Sequence, residues 1–78
     1  MTARARTIAK RDRIIAERDL HRRKVAHWAA LLSEASTEDW HICLAEIESH
    51  RVAYDAADRE LKRLNALIWT SDRDGWFD

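Results

Sequence analysis

Four histidines and one cysteine are the residues of this 78-residue chain whose types suggest a metal site. Imidazole and thiolate are the usual zinc ligands, but several of them must converge on one ion. On a helix, His41 and Cys43 point to different faces, while Cys43 and His50 lie about two turns apart. Only His21 and His50 meet if the chain folds back on itself, and two ligands do not complete a site. We expect no metal and no cofactor, and interpret this pair as a polar layer that fixes helix register.

The side chains that could act as a nucleophile or an acid–base catalyst have simpler explanations. Nucleophilic catalysis needs a nucleophile, a base and an orienting group that converge in a cleft. Cys43 falls on an apolar helix seam, where a thiol behaves as a small hydrophobe. The carboxylates Asp55 and Asp58 precede Arg59 and Lys62 by four residues, which is the favourable order for ion pairs on a solvated helix face. We therefore predict that the protein is not an enzyme.

The elements that would position these side chains are helices. The chain contains no proline, a single glycine and 36% charged residues, so it lacks the turn residues that strands and hairpin loops require. Its length allows one domain with a small core, and a domain this short usually needs reinforcement such as self-association. No apolar run approaches the roughly 18 residues of a membrane span. We predict an all-α, soluble, cytoplasmic protein that does not contact a membrane.

Local signals divide the chain into two helices and a tail. Helix-forming residues dominate the first part of the chain without a helix breaker. Ser36, followed three residues later by Asp39, is typical of a helix N-cap. The predicted hairpin comprises residues 1–70, with helix 1 over about 2–33, a turn over about 34–37, helix 2 over about 37–70 and an acidic-aromatic tail over 71–78.

A seven-residue repeat in the second helix predicts that the two helices pack as an antiparallel coiled coil. Its two apolar positions are occupied by Trp40, Ile47, Tyr54, Leu61 and Ile68, and by Cys43, His50, Ala57 and Leu64. In the first helix the matching residues are Val25, Trp28, Leu32 and Ala35 near the turn, with Ile14 and His21 further back. Toward the chain ends the seam positions of the first helix hold Arg4, Arg11 and Arg18. We therefore expect an apolar seam near the turn that weakens toward the chain ends.

The charges are segregated along the chain although the formal net charge is zero. Residues 1–24 carry +6 and residues 25–78 carry −6. In the hairpin, residues 25–46 form a turn end that carries −4 and no Lys or Arg, whereas the remaining residues form an open end that carries +4. Two hairpins placed head to tail would bring opposite charges together. We predict a homodimer that forms a four-helix bundle.

The basic residues of the first helix suggest a nucleic-acid interface as an alternative function. A basic helix can neutralise phosphates and gain affinity from counterion release. The candidate residues are Arg11, Arg13, Arg18, Arg22, Arg23 and Lys24. They surround the helix instead of forming one stripe, and no known arrangement of DNA-binding helices accompanies them. We prefer a solvated helix surface as their explanation.

Large apolar residues near the chain ends exceed what a two-helix seam can cover. Trp69 falls off the seam, and two further aromatic residues lie in the acidic tail, where they either bind a partner or fold back over the hairpin. Exposed aromatic residues supply much of the binding energy of protein interfaces. The predicted protein-binding residues are Ile8, Ile15, Leu64, Leu67, Ile68, Trp69, Trp76 and Phe77.

Together these features predict a small, non-catalytic interaction module that binds a partner protein and inhibits, recruits or assembles it. A structural part of a larger assembly is a variant of this interpretation, and nucleic-acid binding is the alternative from a different class. Very small helical proteins with unusual tryptophan content are common among phage and mobile-element accessory factors. That analogy is one of size and shape, and no motif of this chain carries it.

Overall fold

The computed structural model describes residues 2–75, which form a hairpin of two α-helices. Helix α1 spans Ala3–Leu32 and helix α2 spans Thr37–Asp74, with residues 33–36 as the turn between them. The described residues contain no strand, so the predicted all-α hairpin is confirmed. The hairpin is a rod with dimensions of 56 × 18 × 13 Å. Neither helix has, within residues 2–75, an apolar stretch of the length needed to cross a bilayer.

Hydroxyl side chains cap the N-terminal ends of both helices. Thr2 Oγ1 accepts a hydrogen bond from the backbone N–H of Ala5 at 3.1 Å, and Ser36 Oγ accepts one from the backbone N–H of Asp39 at 3.3 Å. Glu38 and Asp39 occupy the first turn of α2, where carboxylates interact favourably with the positive end of the helix dipole. The predicted N-cap at Ser36 is confirmed, and it determines where the chain begins its return path.

The C-terminal end of α2 lies four residues beyond the predicted boundary. The tail was expected to begin at residue 71, but residues 71–74 are helical, and Gly75 follows with a φ of 90°, a backbone conformation that favours glycine. Two contacts stabilise this last turn. The guanidinium of Arg73 lies 5.0 Å from the centroid of the Trp69 ring, and Arg4 Nε donates a hydrogen bond to Asp72 at 2.9 Å. These contacts extend the helix past the weak local stop signals.

The seam is packed most closely in the open end, which is the opposite of the expected gradient. The buried apolar residues are Cys43, Leu61, Leu64 and Ile68, and three of the four lie in the second half of α2. Arg11 and Arg18 occupy the seam positions of α1 there, yet their side chains are only 30% exposed. Their guanidinium groups pair with Asp12 at 3.2 Å and Asp58 at 3.5 Å. The aliphatic stems of both arginines remain over the seam and cover it as apolar side chains would.

Near the turn the seam is more open. Trp40 occupies a seam position of the repeat but is 44% exposed, because α1 ends at Leu32 and offers no helical turn opposite it. Trp28 and Val25 of α1 are half-buried. Helix α1 contains no buried residue at all between its first and last turns. The two helices therefore divide the packing unequally, since α2 supplies the buried side chains and α1 covers them.

Candidate functional site

His21 of α1 and His50 of α2 meet in the seam, as the sequence predicts. Their Nδ1 atoms are 2.9 Å apart, and their ring centroids are 5.1 Å apart with the planes tilted by 36°. Both residues are half-buried. At this distance one Nδ1 donates a proton and the other accepts it, because two protonated Nδ1 atoms would place two N–H groups head to head. The pair ties one position of α1 to one position of α2.

Glu46 extends the histidine pair along α2. Its carboxylate Oε2 lies 3.5 Å from His50 Nε2. In one arrangement His50 carries its proton on Nε2, which points toward Glu46. Its Nδ1 then accepts a hydrogen bond from the Nδ1–H of His21, and the Nε2 atom of His21 is free for one further proton. A second additional proton has no position unless the contact between the Nδ1 atoms breaks. The pair can therefore hold one positive charge, but it cannot hold two.

The other sulfur and imidazole groups lie apart from this pair. Cys43 is a free, buried thiol, and His27 and His41 are exposed. Within residues 2–75, no group of three or more His, Cys, Asp or Glu side chains is arranged to hold a metal ion.

A groove opens between the helices at the turn end. Its volume is about 360 Å³, and its lining residues are Trp28, Leu31, Glu34, Ala35, Asp39, Ile42 and Cys43. Leu31 is 42% exposed and Ile42 is 56% exposed. The two charged residues of the lining, Glu34 and Asp39, are both acidic. The groove thus combines accessible aliphatic side chains with negative charge.

Seven-residue spacing places further residues on the same side of the rod as this groove. On α1, Leu31 is preceded at intervals of seven by Lys24, Glu17 and Lys10, and on α2, Asp39 is followed by Glu46, Ala53, Glu60 and Leu67. The two rows lie side by side, because Leu31 and Asp39 line one groove and Lys10 Nζ lies 3.5 Å from Glu60 Oε1. We call this face of the rod the groove side.

The opposite face carries two further ion pairs between the helices. Arg4 Nε lies 2.9 Å from Asp72 Oδ1, and Arg18 Nη1 lies 3.5 Å from Asp58 Oδ1. Asp58 and Asp72 are fourteen residues apart, so they share one face of α2. Trp69 precedes Asp72 by three residues and therefore borders this face. We call it the tryptophan side.

Two isoleucines of α1 belong to the tryptophan side. Ile8 follows Arg4 by four residues, and Ile15 precedes Arg18 by three, so each lies beside one of the two ion-paired arginines. Both isoleucines are half-buried. Together with Trp69 they give this face three partly or largely accessible apolar residues in the open end.

The predicted protein-binding residues are distributed over both faces and the core. Leu64 and Ile68 are 2% and 8% exposed and belong to the core of the hairpin, because α1 covers them. Leu67 is 43% exposed on the groove side, whereas Trp69 is 65% exposed on the tryptophan side, together with Ile8 and Ile15. Trp76 and Phe77 lie outside the described residues. The single surface that the sequence suggested is therefore resolved into two separate faces.

The predicted nucleic-acid-binding residues do not share one surface. Arg11 and Arg18 are half-buried and paired with aspartates, and Nε of Arg18 is buried without a hydrogen-bond partner. The exposed members of the set are Arg13, Arg22, Arg23 and Lys24. The last three of these are consecutive, so their side chains leave the helix in directions about 100° apart. The arrangement lacks the continuous basic stripe that tracks a phosphate backbone.

The sequence singled out the pair of Asp58 with Lys62, which forms at 3.2 Å, but it did not single out the ion pairs of Glu60 and of Arg4 in the open end. A hydrogen bond from Arg63 lowers the pKa of Glu60 to about 2, and the charges of Arg63 and Lys10 act in the same direction. A hydrogen bond to Asp72 likewise raises the pKa of the Arg4 guanidinium. Both pairs lie at the edges of the seam. The Arg4–Asp72 pair joins the two helices, whereas the Glu60–Arg63 pair lies within α2, and both lie near the buried leucines. Exposed pairs of this kind add little stability individually.

The sequence interpretation also missed the groove and the residue rows that continue it. The signal was present, because the interval of seven that marks the seam also links Asp39 to Leu67 and Leu31 to Lys10. These rows flank the seam and mix charged with apolar residues, so they resemble an ordinary solvated face.

Comparison with known proteins assigns no family to this arrangement. No protein-family model, no curated protein and no solved structure matches the chain significantly. The features of this protein that bear on its function are the two faces of the rod and the histidine pair between the helices.

Proposed function

We propose that this protein is a non-catalytic interaction module that binds a partner protein through the tryptophan side of its open end. The observation that carries the proposal is the 65% exposure of Trp69 beside the buried seam residues Leu64 and Ile68. Tryptophan presents a large apolar area with few rotatable bonds, so its burial by a partner yields much binding energy for little lost entropy. A single accessible indole can therefore anchor an interface.

The surroundings of Trp69 indicate the chemistry of a matching partner. Arg73 places its guanidinium 5.0 Å from the centre of the indole ring. The Nε and Nη2 atoms of this guanidinium donate hydrogen bonds to the Asp74 carboxylate at 2.9 and 3.2 Å, so a polar ion pair borders the ring. Ile8 and Ile15 widen the apolar area on α1. The complementary surface is an apolar pocket for the indole with polar groups at its border.

A rod of two long helices suits a protein that blocks, recruits or assembles its partner. Its binding face lies on regular helices, so little backbone ordering opposes association. The small size of the chain favours an accessory factor of a phage or mobile element. Such a factor would inhibit or scaffold a cytoplasmic partner. Trp76 and Phe77, which follow α2 in the sequence, remain candidate binding residues under this proposal.

The test is affinity capture and quantitative binding with matched variants. Tagged protein is used on nuclease-treated lysate of the cells that produce it, and the captured partner is then titrated against purified variants. Trp69→Ala should weaken binding by roughly 30-fold, which corresponds to the loss of about 2 kcal/mol at an aromatic anchor. Val52→Ala is the control, because Val52 is 58% exposed on α2, away from both named faces, and this variant should bind as the wild type does.

The same titration separates protein binding from nucleic-acid binding. Binding through an aromatic anchor should change only modestly with salt. If the ligand is a nucleic acid held by six or more phosphate contacts, affinity should fall about 10³-fold or more between 50 and 200 mM salt. Loss of binding in an Arg22→Glu, Arg23→Glu double variant, with full binding in Trp69→Ala, would refute the proposed function. Helicity of each variant is checked by circular dichroism.

A further inference from the structure

On the groove side, the residue rows of the first helix have a charge pattern that is complementary to itself when its direction is reversed, whereas the α2 row from Asp39 to Leu67 is acidic and contributes no such pairs. Glu34 lines the groove, and the residues that precede it on α1 at intervals of seven are His27, Leu20, Arg13 and Arg6. Read from one end, this row is basic, basic, apolar, histidine and acidic. A second copy of the same row, placed antiparallel with the two Leu20 residues together, sets Arg6 opposite Glu34 at both ends. Leu20 is 44% exposed, so it is available for such a contact.

The neighbouring row of α1 has the same property. It consists of Lys10, Glu17, Lys24 and Leu31, and the same reversal sets Glu17 opposite Lys24 twice. Opposite charges thus meet at four positions: Glu17 with Lys24 twice along the paired α1 helices, and Arg6 with the turn residue Glu34 twice at their ends. Both rows are symmetric about nearly the same point of α1, close to Leu20. An isologous two-fold contact requires such a common centre.

Helix α2 supplies small residues at the matching level of the rod. Its two rows on the groove side, which continue from Asp39 and Ile42, carry Ala53, Ser49 and Ala56 in the middle. Ala53 lies in the same part of the rod as Leu20, because residues 21 and 50 face each other across the seam. Small side chains at this point allow two α2 helices to approach closely. Ile42 and Leu67, both exposed, lie toward the two ends of these rows.

We propose that a second copy of this chain packs antiparallel on the groove side, with the two-fold axis near Leu20 and Ala53, to form a four-helix bundle. In it α1 lies on α1 and α2 on α2 of the second copy, and each acidic groove receives the basic end of the other hairpin. A face 56 Å long and 18 Å wide offers on the order of 1,000 Å² per copy, against about 800 Å² in a standard interface. The tryptophan side remains accessible on both outer faces of this dimer, so partner binding and self-association are independent.

The first test measures the mass of the particle in solution at tens of micromolar protein by sedimentation or light scattering. The wild type should be a dimer at low salt, and Leu20→Lys should raise the dimer dissociation constant by tenfold or more, because it places two like charges at the axis. Val52→Lys makes the same change at an exposed apolar residue away from both named faces and should leave the dimer intact. A wild type that is a folded monomer under these conditions overturns the proposal, as does equal dissociation by both lysine variants.

The second test establishes the antiparallel orientation by charge exchange. Arg6→Glu gives a chain that is acidic at both ends of the row, and Glu34→Arg gives a chain that is basic at both ends, so each should dimerise more weakly than the wild type. Mixed in equal amounts, the two variants should form a heterodimer, because every end then faces an opposite charge. A parallel dimer already sets Arg6 beside Arg6 and Glu34 beside Glu34 in the wild type, so neither single exchange would weaken it. Single variants that dimerise as tightly as the wild type therefore refute the antiparallel arrangement, as does failure of the mixture to associate. Trp69→Ala should dimerise normally, which separates this proposal from the proposed function.

Discussion

Mild acid should destabilise the hairpin through the His21–His50 pair. In the unfolded chain both imidazoles take up a proton as the pH falls below about 6.5. In the folded chain, the Nδ1 atoms are 2.9 Å apart and only one additional proton fits. The unfolded state therefore binds one proton more than the folded state, so the free energy of unfolding falls as the pH is lowered, by about 1.4 kcal/mol per pH unit for each proton.

The size of the effect follows from the geometry of the pair. Between pH 6.5 and 5.0 the unfolded imidazoles go from half to almost full protonation, so the proton difference amounts to about 1.5 kcal/mol. The ceiling is the repulsion between two charged rings, which at the centroid distance of 5.1 Å is about 3 kcal/mol for an effective dielectric constant of about 20. For a domain of this length a loss of about 1.5 kcal/mol lowers Tm by roughly 6 to 12 °C.

The charged groups around the pair act in both directions. The Glu46 carboxylate lies 3.5 Å from His50 Nε2. On α1, Glu17 also lies within one turn of His21, whereas Arg18 and Lys24, at the same spacing, oppose a second positive charge. The carboxylates therefore support a singly charged pair, and the cations add to the penalty for a doubly charged one.

The assay is thermal unfolding followed by circular dichroism at pH 7.5, 6.5, 5.5 and 5.0, at one ionic strength and one protein concentration. His50→Gln should remove most of the loss of Tm between pH 6.5 and 5.0, because His21 can then be protonated without a facing imidazole. His41→Gln is the matched control, since His41 is exposed, and it should keep the full loss. A wild-type Tm that is equal at pH 7.5 and 5.0, or full sensitivity in His50→Gln, would refute the reasoning.

Three further predictions concern stability. Leu64→Ala should lower the free energy of unfolding by about 2–5 kcal/mol in urea titrations, whereas Leu67→Ala, at an exposed site, should change it by less than about 0.5 kcal/mol, and comparable losses would show that Leu64 is not core. Ser36→Ala should cost about 1 kcal/mol by the same measurement, and no loss would mean that the Ser36 cap is dispensable. The pKa of Glu60 is lowered from 4.5 to about 2, so its pair with Arg63 stabilises the fold fully above pH 4.5 and is lost as the pH falls toward 2. Glu60→Gln should lack this part of the acid transition, and an unchanged transition in melts between pH 5 and 2.5 would contradict it.

The fold was predictable because the strongest signals along the chain agree with one another. The seven-residue repeat of α2 marks one continuous seam, Ser36 marks the return point, and the register that these imply brings His21 to His50. The closer packing of the seam in the open end was not predictable from the seven-residue repeat, because such a pattern classes an arginine as polar. Arg11 and Arg18 instead cover the seam with their stems, while their guanidinium groups pair with the adjacent Asp12 and with Asp58, which the fold brings to Arg18 from the other helix.

The division of the surface into two faces was harder to infer than the fold. Leu67 and Trp69 are neighbours in the sequence and were assigned to one surface, yet a separation of two residues on a helix turns them toward different sides. For the residues of α1, the rotation of that helix about its own axis decides on which face each side chain lies. Arginines at several seam positions specify that rotation weakly, so the faces became clear only from the ion pair of Lys10 with Glu60 and the groove beside Leu31.

The ion pair between Arg4 and Asp72 joins positions near the two ends of the described chain, and this has a mechanical consequence. Tension applied between these two positions separates the helices from the open end, so the contacts of the seam break one after another instead of all at once. Each step breaks only a few contacts and releases chain from both helices. In an optical trap the hairpin pulled from these positions should therefore extend at low force and in small increments, whereas attachment at residues 4 and 36, which stretches α1 along its own length, should require a distinctly higher force. Equal forces in the two geometries would show that the seam does not yield layer by layer.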